Sequence, residues 1–310
     1  MAFAAAGRHS LYVERMGAGS PSVVFDAALG ASSLSWALVQ PAIAEETLTL
    51  SYDRAGLGRS EAGPMPRTAS RIVDELRLLL DRAGVPPPFV LVGHSFGGMI
   101  SRLFASRYLR EMGGLVLVDV PDARDWCEMS PENRKKLETG AWLARRGALA
   151  ARLGIARAVS WMARVGAAGV ARRVSTSVSG GVLRGQADHL IAPIQKLPPE
   201  LRRLAPQAWV RPKFYEALAS QMENLPEGAA EIAGLDGLED LPLVVLTATN
   251  PSPRRLRQQE EATRLSSTGV HRIARNSGHW IPVDEPELVI ESVLEVVRQA
   301  RSPRTQATAE

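Results

Sequence analysis

Short apolar runs that alternate with amphipathic helical patterns constrain the fold of this chain more than any other feature. The runs are nearly continuous in Val, Leu and other apolar residues, which is typical of strands that helices cover on both faces. Strands alternating with helices are joined by crossovers that give a mostly parallel sheet. The predicted buried strands are SVVFDAAL (22–29), TLTLSYD (47–53), FVLVGHS (89–95), GLVLVDV (114–120) and LPLVVLTAT (241–249), with a weaker strand at GVHRIAR (269–275) and an antiparallel edge strand at HSLYVERM (9–16).

The alternation stops between about Pro121 and Leu235, where the chain is rich in Arg, Ala and Gly and has a helical pattern. An insertion that interrupts a sheet and then returns to it is typical of a cap. We therefore predict an α/β fold with an inserted helical cap. Residues 1–121 form the first part of the core, residues 122–235 the cap, and residues 236–310 the second part of the core with a polar tail.

The composition excludes several classes of protein. No uncharged apolar run of about 18 residues occurs, so no transmembrane helix is expected, and no basic region precedes the first apolar stretch, so no signal peptide is expected. The lone cysteine, Cys127, excludes an internal disulfide framework and fits a reducing compartment, so we expect a cytoplasmic protein. No His or Cys cluster has metal-ligand spacing, and we expect no cofactor.

The stretch GHSFG (93–97) places a serine between two glycines, directly after a predicted strand and before a predicted helix. This G-x-S-x-G pattern in that context predicts a sharp turn that lifts the Ser95 hydroxyl above the carboxyl edge of the sheet. Side chains at Gly93 and Gly97 would collide with the crowded turn. The alternative is an ordinary Gly/Ser turn that caps the following helix.

A nucleophilic serine needs a base, and the chain has five histidines. His279 lies in NSGHWIPVDEPE, a loop after the last predicted strand, and this loop opens on the same sheet edge as Ser95. His94 lies inside the turn and is expected to point away from the hydroxyl. The other histidines are His9 on the antiparallel strand, His189 in the cap and His271 in a strand pattern.

The order of SYDRAGLGRS, LVGHSFGG, GLVLVDV, LPLVVLTAT and NSGHWIPVDEPE resembles the serine-nucleophile branch of the α/β-hydrolase fold superfamily. The resemblance covers about Ser22 to Pro121 and Leu241 to Val297. It implies a triad in the order serine, acid, histidine, and hydrolysis through an acyl-enzyme. Ser95 and His279 match the motif positions.

The acid of the triad has two candidates. Members of the superfamily usually carry it after the strand that here reads LVVLTAT, but this chain has Asn250 there and no acidic residue until Glu260. Some members carry the acid after the preceding strand, where this chain offers Asp119. An ionised partner stabilises the imidazolium, which a neutral amide does poorly. We therefore expect Asp119, with Asn250 as the alternative.

The resemblance also implies an oxyanion hole made by two backbone N–H groups, those of Phe96 and Leu29. The loop that contains Leu29 lacks the His-Gly pair found in many relatives. The segment DRAGLGRS has a G-x-G pattern but Glu61 at the third glycine position, which argues against a dinucleotide-binding loop. We expect it to be structural, with Asp53 and Arg54 paired locally.

The predicted cap is basic, because no acidic residue occurs from Thr139 to Ala187. Three interpretations remain open: solvated arginine faces over an apolar underside, a helix that contacts anionic lipid with Trp142 and Trp161, or attraction of an acidic substrate. Glycines between 140 and 169 suggest a mobile lid, and no nucleic-acid-binding motif occurs. The eight arginines of this segment are Arg145, Arg146, Arg152, Arg157, Arg164, Arg172, Arg173 and Arg184.

The sequence thus predicts a serine hydrolase whose partner is a small-molecule acyl substrate, with no indication of the oligomeric state. An acyltransferase or a carbon–carbon bond hydrolase would use the same serine. A non-catalytic protein that binds a small ligand is the alternative from another class. Epoxide hydrolases and haloalkane dehalogenases are disfavoured, since these relatives carry a carboxylate in place of Ser95.

Overall fold

An eight-stranded sheet forms the centre of the molecule, whose computed structural model describes residues 2–164 and 194–302. The strand order is β1-β2-β4-β3-β5-β6-β7-β8. The pairs β1–β2 and β2–β4 are antiparallel, and all other neighbours are parallel. The strands are β1 (Ala2–Ala6), β2 (His9–Met16), β3 (Ser22–Asp26), β4 (Thr49–Tyr52), β5 (Phe89–His94), β6 (Met112–Val118), β7 (Leu243–Thr247) and β8 (Val270–Ile273).

Helices cover both faces of the sheet, as the alternation of patterns predicts. Because successive residues of a strand point to opposite faces, Leu91 packs with α2 and α3, whereas Val92 packs with α1 and α13. In chain order the described helices are α1 (Gln40–Ala44), α2 (Ala69–Arg82), α3 (Phe96–Arg107), α4 (Arg124–Cys127), α5 (Pro131–Arg152), α6 (Ile155–Arg164), α7 (Pro199–Arg202), α8 (Ala205–Trp209), α9 (Pro212–Glu223), α10 (Leu225–Ala233), α11 (Pro253–Thr263), α12 (Ile281–Asp284) and α13 (Pro286–Arg301), with short 3₁₀ turns at Ser33–Trp36 and Leu109–Glu111.

The strand β2 is antiparallel, as predicted, but the prediction that it is an edge strand is wrong. All five residues of β1 pair with the first part of β2, from His9 to Val13, and the chain reverses at Gly7, whose φ is +79°. Alanine has a low preference for strands, and the alanine-rich segment of β1 shows no alternation of polar and apolar residues. The sequence AFAAA therefore carries no recognisable strand signal.

The order in which the chain adds parallel strands changes direction at β3, which lies between β4 and β5 in the sheet. Successive connections leave β3 toward opposite edges, so the loops after β3 and β5 diverge and leave a crevice above the carboxyl ends of the two strands. Open α/β sheets bind their ligands at such switch points. The GHSFG turn and the loop with Leu29 therefore belong to the same place in the fold.

Between β6 and β7 the described residues are helical, as expected for an insertion; its exact boundaries remain a prediction. Two of its arginines are paired and not simply solvated: Arg145 contacts Glu223 and Arg152 contacts Glu216, each at 2.6 Å. Trp142 and Trp161 are 44% and 62% exposed, and their contact with lipid also remains a prediction. His189, Arg172, Arg173, Arg184 and the side chain of Arg164 lie outside the described residues. Within 2–164 and 194–302, no helix is both long and apolar enough to cross a membrane.

Candidate active site

Ser95 occupies a strained position between β5 and α3. Its φ is +55° and its ψ is −118°, a region that residues with a side chain rarely adopt. The Ser95 N–H donates to the carbonyl of Val118 at 2.9 Å, which ties the turn to the end of the neighbouring strand β6. The backbone strain is thus held in place by the sheet itself.

Three glycines make this turn sterically feasible. A Cβ at Gly93 would lie 2.4 Å from Gly98 Cα, and a Cβ at Gly97 would lie 2.3 Å from the carbonyl oxygen of Asp26. Gly98, which the sequence analysis did not single out, has a similar constraint, since its Cβ would lie 2.0 Å from a methyl group of Val120. The contact of Gly97 with the end of β3 also shows that the turn and the loop after β3 pack directly against each other.

Asp119 and His279 are brought together from positions 160 residues apart in the chain. His279 Nδ1 lies 2.6 Å from Asp119 Oδ2. The other carboxylate oxygen, Oδ1, accepts from Arg255 Nη2 at 3.1 Å and from the Ala248 N–H at 3.4 Å. Burial by itself would raise the pKa of Asp119, but hydrogen bonding and charge from His279 and Arg255 outweigh it and lower the pKa to about 2. Asp119 is therefore a carboxylate at neutral pH.

Asn250, the alternative partner of His279, lies elsewhere. It is an exposed residue with a φ of +48° in the loop after β7. No hydrogen bond between Asn250 and His279 occurs among the residues that the structure describes. Of the two candidates, the fold thus places Asp119 against the imidazole.

His94 fixes the backbone of the loop that carries His279. Its Nε2 lies 2.7 Å from the carbonyl oxygen of His279, and the centroids of the two rings are 4.8 Å apart. Burial, reinforced by the neighbouring imidazole, lowers the pKa of His94 to about 3. His94 is therefore neutral, and because a carbonyl only accepts, it carries its proton on Nε2. The sequence predicts only that His94 points away from the hydroxyl; its contact with the His279 carbonyl is between residues too far apart in the chain to be read from a local pattern.

His94 precedes Ser95 in the chain and its ring lies against that of His279, but the described hydrogen bonds do not include one between Ser95 Oγ and His279. In serine hydrolases this contact is often long or poorly aligned until substrate is bound. The two side chains therefore share one sheet edge without a preformed bond.

The two predicted N–H donors, those of Phe96 and Leu29, belong to the two segments that meet where Gly97 contacts Asp26. Phe96 is the first residue of α3, so its N–H has no acceptor within the helix. Leu29 follows β3 in a turn in which the Ala31 N–H donates to the Ala28 carbonyl at 3.1 Å. The turn itself does not use the N–H of Leu29, its second residue. Both N–H groups are thus free of the local backbone bonds that would occupy them.

The model of the alpha/beta hydrolase family matches residues 23–292 of the chain. The chain belongs to this family. YqjL of Bacillus subtilis, a protein without a characterised function, is 39% identical over 127 residues, which are 40% of this chain and 50% of YqjL. The chain thus spans half the length of this relative.

Solved structures of other α/β-hydrolases resemble the whole chain. A thermophilic esterase from Thermogutta terrifontis superposes with a TM-score of 0.63 and 22% identity, over 95% of both chains. A variant of a Pseudomonas aeruginosa protein provisionally described as an epoxide hydrolase superposes with a TM-score of 0.70 and 17% identity, over 94% of this chain and 93% of that one. At these identities the likeness concerns the fold.

In this α/β-hydrolase the expected local pair of Asp53 and Arg54 does not form, so that prediction is wrong. Asp53 accepts from the N–H groups of Ser33 and Arg59, at 2.7 and 2.8 Å. The Arg54 guanidinium instead turns toward the end of β3 and binds Asp26. Neighbours in sequence point to opposite sides of the chain here, as adjacent residues in extended backbone do.

The remaining described histidines lie away from Ser95. His9 lies 3.6 Å from Glu75, and His271 Nε2 lies 2.8 Å from the hydroxyl of Thr247. Among the described residues, no group of three or more His, Cys, Asp or Glu side chains is arranged to hold a metal ion.

Proposed function

We propose that this α/β-hydrolase is a serine hydrolase that cleaves a carboxylic ester, or a similarly activated acyl compound, through an acyl-enzyme. The observation that carries the proposal is the 2.6 Å contact between His279 Nδ1 and Asp119, on the sheet edge where Ser95 is held at positive φ. An oriented imidazole beside an outward-turned hydroxyl is the arrangement that nucleophilic catalysis by serine requires.

In the first step, Ser95 Oγ attacks the carbonyl carbon of the substrate while His279 Nε2 takes the hydroxyl proton. Asp119 holds the proton on Nδ1 and stabilises the imidazolium that forms. The negative charge on the carbonyl oxygen is stabilised by the N–H groups of Phe96 and Leu29. When the tetrahedral intermediate collapses, the alkoxide leaves with the proton from His279, and the acyl group remains on Ser95.

In the second step, water attacks the acyl-enzyme. His279 removes a proton from this water and returns it to Ser95 Oγ as the carboxylic acid leaves. The same hydroxyl argues against epoxide opening, although epoxide hydrolases share the fold. A serine that opened an epoxide would form an ether, which has no carbonyl for water to attack, so the enzyme would not turn over.

We further propose that the helical insertion covers this site. Gln221 and Leu225 on the inserted helices lie close to Phe96 and Met99 on α3. Because Phe96 follows the proposed nucleophile directly, this closeness supports a cover over Ser95 and a role of the insertion in the choice of substrate.

Labelling with a fluorophosphonate probe tests the proposal, because the probe reacts only with an activated serine. The wild type should be labelled, Ser95→Ala should not, and Asp119→Asn should be labelled far more slowly than Asn250→Ala. A panel of p-nitrophenyl esters of increasing chain length would then measure turnover. A wild type that is neither labelled nor active on any ester would contradict the proposal and favour a ligand-binding role.

A further inference from the structure

The Arg54 guanidinium lies between the two segments that supply the proposed oxyanion donors. Arg54 is 3% exposed. Its Nη1 donates to Asp26 Oδ1 at 2.5 Å and to the carbonyl of Ala27 at 2.7 Å, and its Nη2 donates to the carbonyl of Ala28 at 2.5 Å. Its central carbon lies 5.1 Å from the centroid of the Phe96 ring. One buried cation therefore contacts both sides of the site.

The bond to the Ala28 carbonyl has a specific consequence for Leu29. The Ala28 C=O and the Leu29 N–H belong to the same planar peptide unit, and in a trans peptide they point in opposite directions. A guanidinium that holds the carbonyl therefore fixes the direction of the N–H on the far side. It also polarises the peptide unit, which makes the N–H a stronger donor.

Arg54 is itself held rigidly. Its carbonyl accepts from the Leu57 N–H at 2.9 Å, and the Gly56 N–H donates to the Glu61 carbonyl at 2.7 Å, so the segment closes on itself. Helix α9 packs against this segment, since a Cβ at Gly56 would lie 2.5 Å from the side chain of Ala217. The guanidinium thus projects from a fixed support.

Burial explains why an arginine is suited to this position. A buried cation is unfavourable unless it is paired and hydrogen-bonded. Here Asp26 supplies the negative charge and the carbonyls of Ala27 and Ala28 accept from Nη1 and Nη2, while Nε has no partner among the described residues. The planar fork of arginine holds several acceptors in a fixed, spread geometry, whereas the three donors of lysine share a single nitrogen. The guanidinium therefore places positive charge directly against the Ala28 carbonyl.

We propose that Arg54 is a positioning residue of the oxyanion hole, which aims and polarises the Leu29 N–H by binding the Ala28 carbonyl. This inference rests on the proposed function, because it assigns a task within acyl transfer. It also gives the DRAGLGRS segment a role in the reaction, as the support of the second oxyanion donor.

The test compares the double variant Arg54→Met/Asp26→Asn, which leaves no unpaired buried charge, with the conservative variant Arg54→Lys. The matched control is Arg272→Met/Glu295→Gln, which removes an ion pair between β8 and α13, away from the site. For each protein, kcat and KM are measured on one ester, together with the inhibition constants of a trifluoromethyl ketone and of the corresponding amide. The ketone forms a tetrahedral adduct with an oxyanion, whereas the amide mimics the ground state.

Losing a single oxyanion donor costs about 10²–10³ in kcat, so weakening one should cost about 10- to 100-fold. The double variant should lose kcat and ketone affinity by similar factors, while KM and amide affinity change less than about threefold. Arg54→Lys should fold and show a smaller loss of the same kind. The control should retain its kcat.

Equal weakening of the ketone and the amide, or a kcat like that of the control, would overturn the inference while leaving the proposed function intact. If the double variant does not fold, the decision falls to Arg54→Lys: an unchanged kcat and ketone affinity would overturn the inference. Absence of both labelling and ester turnover in the wild type would overturn the proposed function and this inference together.

Discussion

Replacing Asp119 by asparagine removes one charge and almost no volume from the candidate site. The carboxylate faces His279 at 2.6 Å and Arg255 at 3.1 Å, so the variant leaves both partners opposite a neutral amide. A tenfold change in proton affinity corresponds to about 1.4 kcal/mol. The fall in the pKa of Asp119 from 3.8 to about 2 therefore means that the charged carboxylate contributes roughly 2.5 kcal/mol to the free energy of unfolding.

The sign of this effect follows from the direction of the pKa shift. The folded state lowers the pKa of Asp119, so its charged form stabilises the fold above pH 4, and this contribution is lost as the pH falls through about 2. At pH 7 we expect the free energy of unfolding of Asp119→Asn to be about 2–3 kcal/mol lower than that of the wild type. The difference from the wild type should narrow below pH 4.

The effect on the reaction should be larger than the effect on stability. The imidazolium that forms when His279 takes the proton of Ser95 would no longer face a carboxylate, and the preferred tautomer would be lost. A loss of about 10⁴-fold in kcat is typical when the acid of such a triad becomes an amide. We expect a fall in kcat of about 10³- to 10⁴-fold with KM little changed.

Ester hydrolysis at pH 7 and urea unfolding monitored by tryptophan fluorescence measure both effects. Asp125→Asn is the matched control, because Asp125 is a nearby carboxylate that pairs with the exposed Arg254. Its kcat should stay within about threefold of the wild type. The reasoning is refuted if Asp119→Asn keeps more than a tenth of the wild-type kcat while Asn250→Ala loses most of it.

Three further substitutions test the surroundings of the site. Arg255→Gln should raise the pKa of Asp119, because it removes a cation that stabilises the carboxylate. The more basic carboxylate should shift the acidic limb of the kcat/KM profile to higher pH by roughly half a unit. An unchanged profile would argue against coupling between Arg255 and the catalytic groups. Because the pKa of His94 falls from 6.5 to about 3 in the folded state, stability should fall below pH 6.5 by up to about 1.4 kcal/mol per pH unit. Urea unfolding at pH 7, 6 and 5 should show a shallower fall for His94→Asn. Gly97→Ala would place a Cβ 2.3 Å from the Asp26 carbonyl oxygen. The free energy of unfolding should fall by roughly 1–3 kcal/mol, with a lower Tm and a lower kcat. An unchanged Tm would mean that the turn can relax around the methyl group.

Two features of the fold were predictable because their signals are local. Each buried strand is a short apolar run, and hydrophobic burial of such a run depends mainly on its own residues. The GHSFG turn is recognisable from a local motif, and a Cβ at Gly93 would collide with Gly97 and Gly98 nearby in sequence, although a Cβ at Gly97 would collide with Asp26, which is distant in sequence. The strand β1 was not predictable, because pairing with β2 supplies the order that its alanines do not encode.

The residues that surround the imidazole depend on long-range contacts. His279 meets Asp119 across 160 residues and His94 across 185, and these distances close only when β5, β6 and the loop before α12 reach one edge. Arg255 has no motif of its own and reaches Asp119 from α11, a helix after β7. Sequence could name Asp119 and Asn250 as alternatives, but only the packing places one of them against the imidazole.

The sequence by itself determined an α/β sheet with a helical insertion, and it predicted Ser95 and a loop histidine on the same sheet edge, because periodicity and turn chemistry act over a few residues. The tertiary structure alone decided which carboxylate faces His279 and which cation holds the loop with Leu29. Arg54 and Asp53 adjoin in sequence, yet they bind different partners. Buried charges are stable only where the fold supplies a counter-charge and acceptors, and those come from distant parts of the chain.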